Sequence, residues 1–165
     1  MKKSLRIIAM LAIVFGMTSV ITSCNDDKKE EPYKSKTYAH YSLIVGEDLT
    51  HFYNVNITYK TLDGTEYKHT LAEGNTQWKF DETSNLDCPG FKCYIELVAR
   101  ESYDPSYSPS DYFDFGYSYK CTAYSPTVGI KISSNTYTNS VERAKLDQFI
   151  AEHPTRLIID FPEEF

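Results

Sequence analysis

Hydrophobic and polar residues alternate along several short segments of the chain. In segments 39–45 and 53–59 every second residue is apolar, which is typical of a β-strand with one buried face. The same alternation recurs in segments 91–99 and 113–123. Four shorter segments also have strand character: 66–71, 77–80, 128–133 and 156–161. The pattern therefore predicts about eight strands.

Two local signals add a hairpin and a helix to these strands. Asp63-Gly64 lies between two strand segments, and this dipeptide is a strong hairpin signal. Asn139 and Glu142 have the spacing of a capping box, which predicts a helix that ends just before Pro154. About eight strands with one helix before the last strand predict an Ig-like antiparallel β-sandwich, with a small β-barrel as the alternative.

The first 23 residues follow a different pattern. Lys2, Lys3 and Arg6 precede an apolar run over residues 7–17. This run is shorter than the roughly 20 residues that span a bilayer, and its basic start predicts a secretory signal peptide. The next residues, Ile21-Thr22-Ser23-Cys24, resemble the bacterial lipobox. The resemblance implies cleavage before Cys24 and lipidation of this cysteine, with several acyl chains anchoring the protein to a membrane.

The segment that follows Cys24 contains no apolar residue between positions 25 and 32. Such a segment cannot bury surface, so we expect residues 24–32 to be a solvated acidic tether and residues 33–165 to be the β-sandwich domain. The tether resembles the export tag of surface lipoproteins in Bacteroidetes. This resemblance implies an outer-membrane protein displayed on the cell surface, with the periplasmic face of that membrane as the alternative.

The charge balance excludes one class of partner. The full chain has 17 Lys and Arg against 23 Asp and Glu, a net charge of −6. Removal of the predicted signal peptide leaves 14 positive and 23 negative residues, a net charge of −9. A nucleic-acid-binding protein needs a basic face, so we expect no nucleic-acid partner.

The cysteines limit the number of disulfides. With Cys24 used by the lipid, Cys88, Cys93 and Cys121 remain, which allows at most one intramolecular bond in an oxidising compartment. Cys88–Cys93 would close a small loop, and Cys93–Cys121 would join two positions that both point inward. Cys88–Cys121 and three free thiols are the other possibilities, since the distance between the Cα atoms decides which pair can bond.

Catalytic and metal-binding motifs are not recognisable in the sequence. The four histidines do not have the spacing of metal ligands. The chain also has no nucleophile elbow, phosphate-binding glycine loop or Cys-x-x-Cys pair. We therefore expect a protein that is not an enzyme and needs neither a cofactor nor a metal.

Aromatic residues are the best candidates for ligand binding. Prolines and serines in segment 101–116 predict a loop, and tyrosine rings with their hydroxyls suit the recognition of sugars or proteins. The candidates are Tyr103, Tyr107 and Tyr112 in this loop, and Trp78. The alternative is that the tyrosines pack on the rim of the sandwich and that Trp78 belongs to the core. A third possibility for the loop is calcium bound by Asp104, Asp111 and Asp114.

Taken together, the chain resembles the small β-sandwich lipoproteins of gut Bacteroidetes. The resemblance rests on the lipobox, the acidic tether, one strand-rich domain, and segment 52–59 followed by Asp63-Gly64. Many of these proteins belong to families of unknown function, and others are accessory glycan-binding proteins or fimbrial components. The resemblance implies either a non-catalytic binding module, with a glycan or a surface protein as its partner, or a structural or adhesion subunit that assembles by strand addition.

Overall fold

A computed structural model of the chain describes residues 36–88, 90–104, 106–107 and 111–161. The predicted signal peptide (1–23), the lipidation site Cys24 and the tether (24–32) lie outside these residues. All described residues belong to one compact unit, Pro32–Phe165. None of the helices in the described residues has the length and apolar character needed to cross a membrane.

Two four-stranded antiparallel sheets form the fold. The first sheet has the order β4-β1-β7-β8, with strands β1 (Thr37–Val45), β4 (Gln77–Ser84), β7 (Tyr117–Ser125) and β8 (Gly129–Tyr137). The second sheet has the order β10-β5-β2-β3, with strands β2 (Tyr53–Lys60), β3 (Glu66–Thr70), β5 (Cys93–Ala99) and β10 (Thr155–Phe161).

Three short elements complete the structure. Strands β6 (Tyr112–Asp114) and β9 (Ser140–Glu142) pair as a separate two-stranded sheet. Helix α1 covers Leu49–Phe52, and helix α2 covers Leu146–Glu152 after a 3-10 turn at Arg143–Lys145. Helix α2 immediately precedes the last strand, as the sequence predicts.

The alternation of the sequence decides which face of each strand is buried. Every second residue of β1, from Thr37 to Val45, is buried, and the same holds for β5 from Cys93 to Leu97. Ring contacts join the two sheets: Tyr41 of β1 meets Phe161 of β10 with centroids 6.0 Å apart. The prediction of an antiparallel β-sandwich is confirmed. The alternative of a small barrel is wrong, because the sheets are not closed.

The predicted hairpin at Asp63-Gly64 is confirmed, since β2 and β3 pair from Asn56 opposite Thr70 to Lys60 opposite Glu66. Gly64 has a φ of 87°, a left-handed conformation that glycine adopts without steric cost. The Asp63 carboxylate accepts the Thr65 amide at 2.9 Å and so closes the turn.

The prediction of one continuous strand over residues 113–123 is wrong. The chain leaves the small sheet after Asp114 and enters the first sheet at Tyr117. Between them, the Asp114 carboxylate accepts the Gly116 amide at 2.8 Å, a local bond that competes with strand pairing. A Cβ at position 116 would lie 3.0 Å from the Tyr137 carbonyl oxygen, so glycine permits this close approach.

The predicted start of the helix is also wrong. Ser140–Glu142 pairs with β6 as strand β9, and Val141 is buried opposite Phe113. Asn139 therefore does not cap a helix, and α2 begins only at Leu146. The capping-box spacing of Asn139 and Glu142 is overruled because pairing with β6 buries Val141, a long-range gain that local capping does not supply.

Candidate functional site

The structure uses Tyr103 and Tyr107 to hold the loop against the sandwich. The Tyr103 hydroxyl donates to the Asp147 carboxylate at 2.6 Å, and its ring meets the buried Phe52 edge-on at 4.8 Å. The Tyr107 hydroxyl donates to the buried Asp48 carboxylate at 2.8 Å. Both side chains line a cavity of about 220 Å³ next to α2.

These contacts change the acidity of both hydroxyls. Burial and the Asp48 carboxylate together raise the pKa of Tyr107 to about 12. The hydrogen bond to Asp147 also raises the pKa of Tyr103. Each carboxylate accepts the phenol hydrogen and disfavours a second negative charge beside it, so it stabilises the protonated phenol. Both hydroxyls therefore already donate their hydrogen within the protein.

The other two aromatic candidates lie elsewhere. Tyr112 is 57% exposed, is paired with Glu142 across β6 and β9, and lines a separate depression of about 400 Å³ beside α2. Trp78 is half-buried on β4, where its ring meets Tyr59 of the second sheet at 5.2 Å. The four predicted ligand-binding residues are therefore not brought together in one site.

The outer face of the first sheet carries a different aromatic group. Tyr38 of β1 lies opposite Tyr124 of β7, which lies opposite Ile130 of β8. The rings of Tyr38 and Tyr124 stack with centroids 5.9 Å apart, and Tyr38 also stacks on His40 at 5.1 Å. These side chains extend an apolar surface across three strands, and Ile130 at its end is 58% exposed.

A depression of about 420 Å³ adjoins this aromatic group. At its centre is Ser42 of β1, which lies opposite Lys79 of β4 on one side and Lys120 of β7 on the other. A short serine between two long lysines leaves a hollow on the sheet. The hollow is therefore a consequence of side-chain size in one cross-strand row.

Charged groups line one wall of the hollow. The Asp81 carboxylate forms an ion pair with Lys79 and lies 2.7 Å from His40 Nδ1. Both neighbours lower the pKa of Asp81, with the Lys79 hydrogen bond as the larger cause. Lys120, by contrast, has no carboxylate partner within the described part of the chain. An unneutralised cation is thus available at the edge of the hollow.

The floor of the hollow contains an unused hydrogen-bonding group. The Thr122 hydroxyl is buried and has no partner among the described residues, although a buried polar group normally has one. We refer to this group as the outer-face site: Tyr38, His40, Ser42, Lys79, Asp81, Lys120, Thr122 and Tyr124.

Sequence reasoning missed the outer-face site. Its signal is the residues between the buried positions of β1, where Tyr38 and His40 point away from the core. The alternation identifies these positions as outward, but not their neighbours on β4 and β7. The sequence therefore cannot show that two rings and two lysines meet there.

The predicted disulfide cysteines and the calcium candidate Asp104 interact with neighbouring groups of the protein or are buried in its core. Cys88, Cys93 and Cys121 are buried free thiols in the structure. The Cys88 thiol donates to the Gly90 carbonyl oxygen at 2.9 Å. Asp104 accepts hydrogen bonds from the amide and the hydroxyl of Ser106. Within the described ranges no cluster of histidine, cysteine and carboxylate side chains could hold a metal ion.

Comparison with known proteins adds no relative: no family model, no curated protein and no solved structure matches the chain.

Proposed function

We propose that the protein is a lipoprotein of the outer membrane, anchored through Cys24 and displayed on the cell surface, that acts as a non-catalytic glycan-binding module. The supporting observation is the outer-face site, where the Tyr38–Tyr124 stack adjoins a hollow with the unpartnered Thr122 hydroxyl. The apolar faces of a sugar ring pack on aromatic rings, and its hydroxyls need donors and acceptors at the side.

The charges in the site suggest which glycans to test first. Lys120 and Lys79 both line the hollow, and among the residues that the structure describes only Lys79 is paired with a carboxylate, that of Asp81. A sugar that carries a carboxylate or sulfate would gain an ion pair with Lys120 that a neutral sugar lacks. The proposal therefore favours acidic polysaccharides over neutral ones.

Polysaccharide binding tests the site directly. Residues 24–165 with Cys24→Ser would be assayed against neutral and acidic polysaccharides by affinity electrophoresis and calorimetry. We expect Tyr38→Ala and Tyr124→Ala to weaken binding by at least about tenfold, which corresponds to about 1.4 kcal/mol. Lys120→Gln should weaken the binding of acidic polysaccharides and leave that of neutral ones unchanged.

Two tyrosines outside the outer-face site serve as matched controls. Tyr67 is 49% exposed on β3 of the second sheet, and Tyr67→Ala should leave binding unchanged. Tyr112→Ala separates the outer-face site from the loop. If Tyr112→Ala abolishes binding while Tyr38→Ala does not, the ligand site lies at the depression beside α2 that Tyr112 lines, and the outer-face proposal is wrong. Failure to bind any polysaccharide would reject the glycan function.

The anchor and the location require separate tests. Cells grown with labelled palmitate should label the full chain, and Cys24→Ala should remove the label and release the protein from the membrane fraction. Cys88→Ala is the control and should keep the label. Protease added to intact cells should digest the domain, whereas its survival would place the protein on the periplasmic face.

A specific observation favours strand addition as a second candidate function. Strand β8 is an edge of the first sheet, contains nine residues without proline, and exposes Ile130 and Ile132. The other three edge strands are less suited to pairing: β3 has five residues, β4 carries Lys79, Asp81 and Glu82, and β10 has a register shift between Leu157 and Ile159, whereas β8 has nine residues with Lys131 as its one charged residue. Long unprotected edges pair with further strands.

A second copy of the chain is the simplest strand partner. Antiparallel pairing of two β8 strands about Ser133 places Lys131 opposite Asn135, so no like charges meet. This candidate predicts a concentration-dependent dimer in light scattering that Ile132→Lys disrupts and Tyr38→Ala leaves intact. A monomer at all concentrations would remove self-assembly through β8 from consideration.

A further inference from the structure

The core of the sandwich contains two thiols that meet between the sheets. Cys93 lies on β5, which has β10 and β2 as neighbours, and Cys121 lies on β7, between β1 and β8. Both side chains are fully buried. Cys121 lies opposite Tyr41 across β7 and β1, Cys93 lies opposite Phe161 across β5 and β10, and the Tyr41 and Phe161 rings meet between the sheets with centroids 6.0 Å apart. Each sulfur belongs to the middle of a different sheet, so a bond between them would join the two layers.

The third thiol has a different environment. Cys88 precedes β5 in the chain, and its thiol donates to the Gly90 carbonyl oxygen two residues away. Its own carbonyl oxygen accepts the Ser125 hydroxyl at 2.9 Å. Cys88 is thus held in a local turn by polar contacts, whereas Cys93 and Cys121 face each other from the two sheets.

We propose that Cys93 and Cys121 form a disulfide bond across the core and that Cys88 remains a free thiol. The proposal rests on the export that is part of the proposed function, because a disulfide persists in an oxidising compartment. The bond would close a loop of roughly 30 residues, which restricts the unfolded chain and stabilises the folded one.

The reaction requires a disulfide-bearing oxidant, either a protein or a small molecule. One thiolate of the pair attacks a sulfur of the oxidant, forms a mixed disulfide and releases one oxidant thiolate. The second thiolate then attacks the mixed disulfide, forms the Cys93–Cys121 bond and releases the other oxidant thiolate. The cysteine pair loses two electrons and two protons, and the oxidant disulfide becomes two thiols. Because the neighbouring Cys121 thiol and burial together hold the pKa of Cys93 far above its usual range, exchange must occur before the core closes.

Differential alkylation tests the pairing. The full chain would be extracted from membranes, unfolded without reductant, alkylated and mapped by mass spectrometry. We expect an alkylated Cys88 and a linked pair of peptides that contain Cys93 and Cys121. Alkylation of all three cysteines, or any bond that includes Cys88, would overturn the proposal.

Palmitate labelling of the same sample separates this proposal from the proposed location. A lipidated chain with free Cys93 and Cys121 rejects the disulfide alone. If the chain is not lipidated, the location fails, and the pairing is then tested by refolding the reduced chain with glutathione disulfide. If the Cys93–Cys121 bond does not form in that refolding, the disulfide proposal is also rejected.

Thermal unfolding supplies a second measurement. Reduction should lower the Tm by roughly 10 °C. Cys88→Ala should show the same sensitivity to reductant, and the double variant Cys93→Ala/Cys121→Ala should show none. A Tm that reductant leaves unchanged in the unsubstituted chain contradicts the proposal, and the alkylation map still decides if a variant does not fold.

Discussion

Two pairs of tyrosines in this protein differ in what their side chains contact. Tyr103 and Tyr107 donate their hydroxyls to the Asp147 and Asp48 carboxylates, and both rings pack against Phe52. Tyr38 and Tyr124 stack on the outer face of the first sheet beside a hollow. The same residue type therefore stabilises the fold in one region and presents a surface in the other. What distinguishes them is that the Tyr103 and Tyr107 hydroxyls donate to carboxylates, whereas the Tyr38 and Tyr124 rings lie on the outward face of one sheet.

The largest expected effect comes from removing the support of the loop tyrosines. Phe52 is buried and meets Tyr103, Tyr107, Phe113 and Phe115 edge-on. Phe52→Ala should lower the free energy of unfolding by about 3–5 kcal/mol, because it removes buried apolar surface and leaves a cavity. Urea denaturation measures this change. A loss below about 1 kcal/mol would contradict the packing role assigned to the loop tyrosines.

The next effect concerns the buried carboxylate of the same region. Asp48 accepts the Tyr107 hydroxyl with one oxygen and the Asp114 amide, at 2.6 Å, with the other. Asp48→Ala should lower the free energy of unfolding by about 2–3 kcal/mol, because it leaves both donors without this acceptor. Asp147→Ala is the matched control: its bond to Tyr103 is exposed, so we expect a loss below about 1 kcal/mol. Equal losses of unfolding free energy in the two variants would show that the buried Asp48 carboxylate stabilises the fold no more than the exposed Asp147 carboxylate does.

A pH titration sharpens the difference further. Tyr107 has a pKa of about 12 in the folded protein, against 10 for an ordinary tyrosine. Between these values the folded chain keeps a proton that the unfolded chain releases. The contribution of the raised Tyr107 pKa to the free energy of unfolding is therefore complete below pH 10 and is lost as the pH rises through about 12.

Tyr107→Phe should reduce this alkaline loss of stability. Stability would be measured by urea denaturation from pH 9 to pH 12, with tyrosinate absorbance recording ionisation. Tyr53, Tyr103 and Tyr117 also have raised pKa values, so part of the alkaline loss should remain. An unchanged pH profile in Tyr107→Phe would show that the Asp48 hydrogen bond does not control the titration.

The smallest effect on stability is expected on the outer face. Tyr38→Ala and Tyr124→Ala should each lower the free energy of unfolding by about 1 kcal/mol, since both rings are partly buried but pack on the outward face of a single sheet and not between the two sheets. These are the variants expected to weaken glycan binding by at least about tenfold. A large loss of stability without a loss of binding would give the outer-face tyrosines the structural role of Tyr103 and Tyr107.

Local pattern was sufficient for much of the fold. The alternation in segments 39–45 and 53–59 predicts the buried faces of β1 and β2 correctly, because the side-chain period of a strand is a local property. Asp63-Gly64 predicts the hairpin for the same reason. The break at Gly116 and the late start of α2 were missed, because both depend on β6 pairing with β9 from a distant part of the chain.

The sequence by itself determined that the domain is rich in strands and which residues of β1 and β2 face its core. Only the tertiary structure decided that the sheets stay open as a sandwich, that Tyr103 and Tyr107 donate to carboxylates, that Lys79 and Lys120 flank Ser42, and that Cys93 and Cys121 face each other. These outcomes depend on cross-strand register and on the packing of the two sheets. Both are long-range: the His40–Asp81 contact joins residues 41 apart in the sequence, and the Tyr103–Asp147 bond joins residues 44 apart. Periodicity along one strand contains no information about such partners.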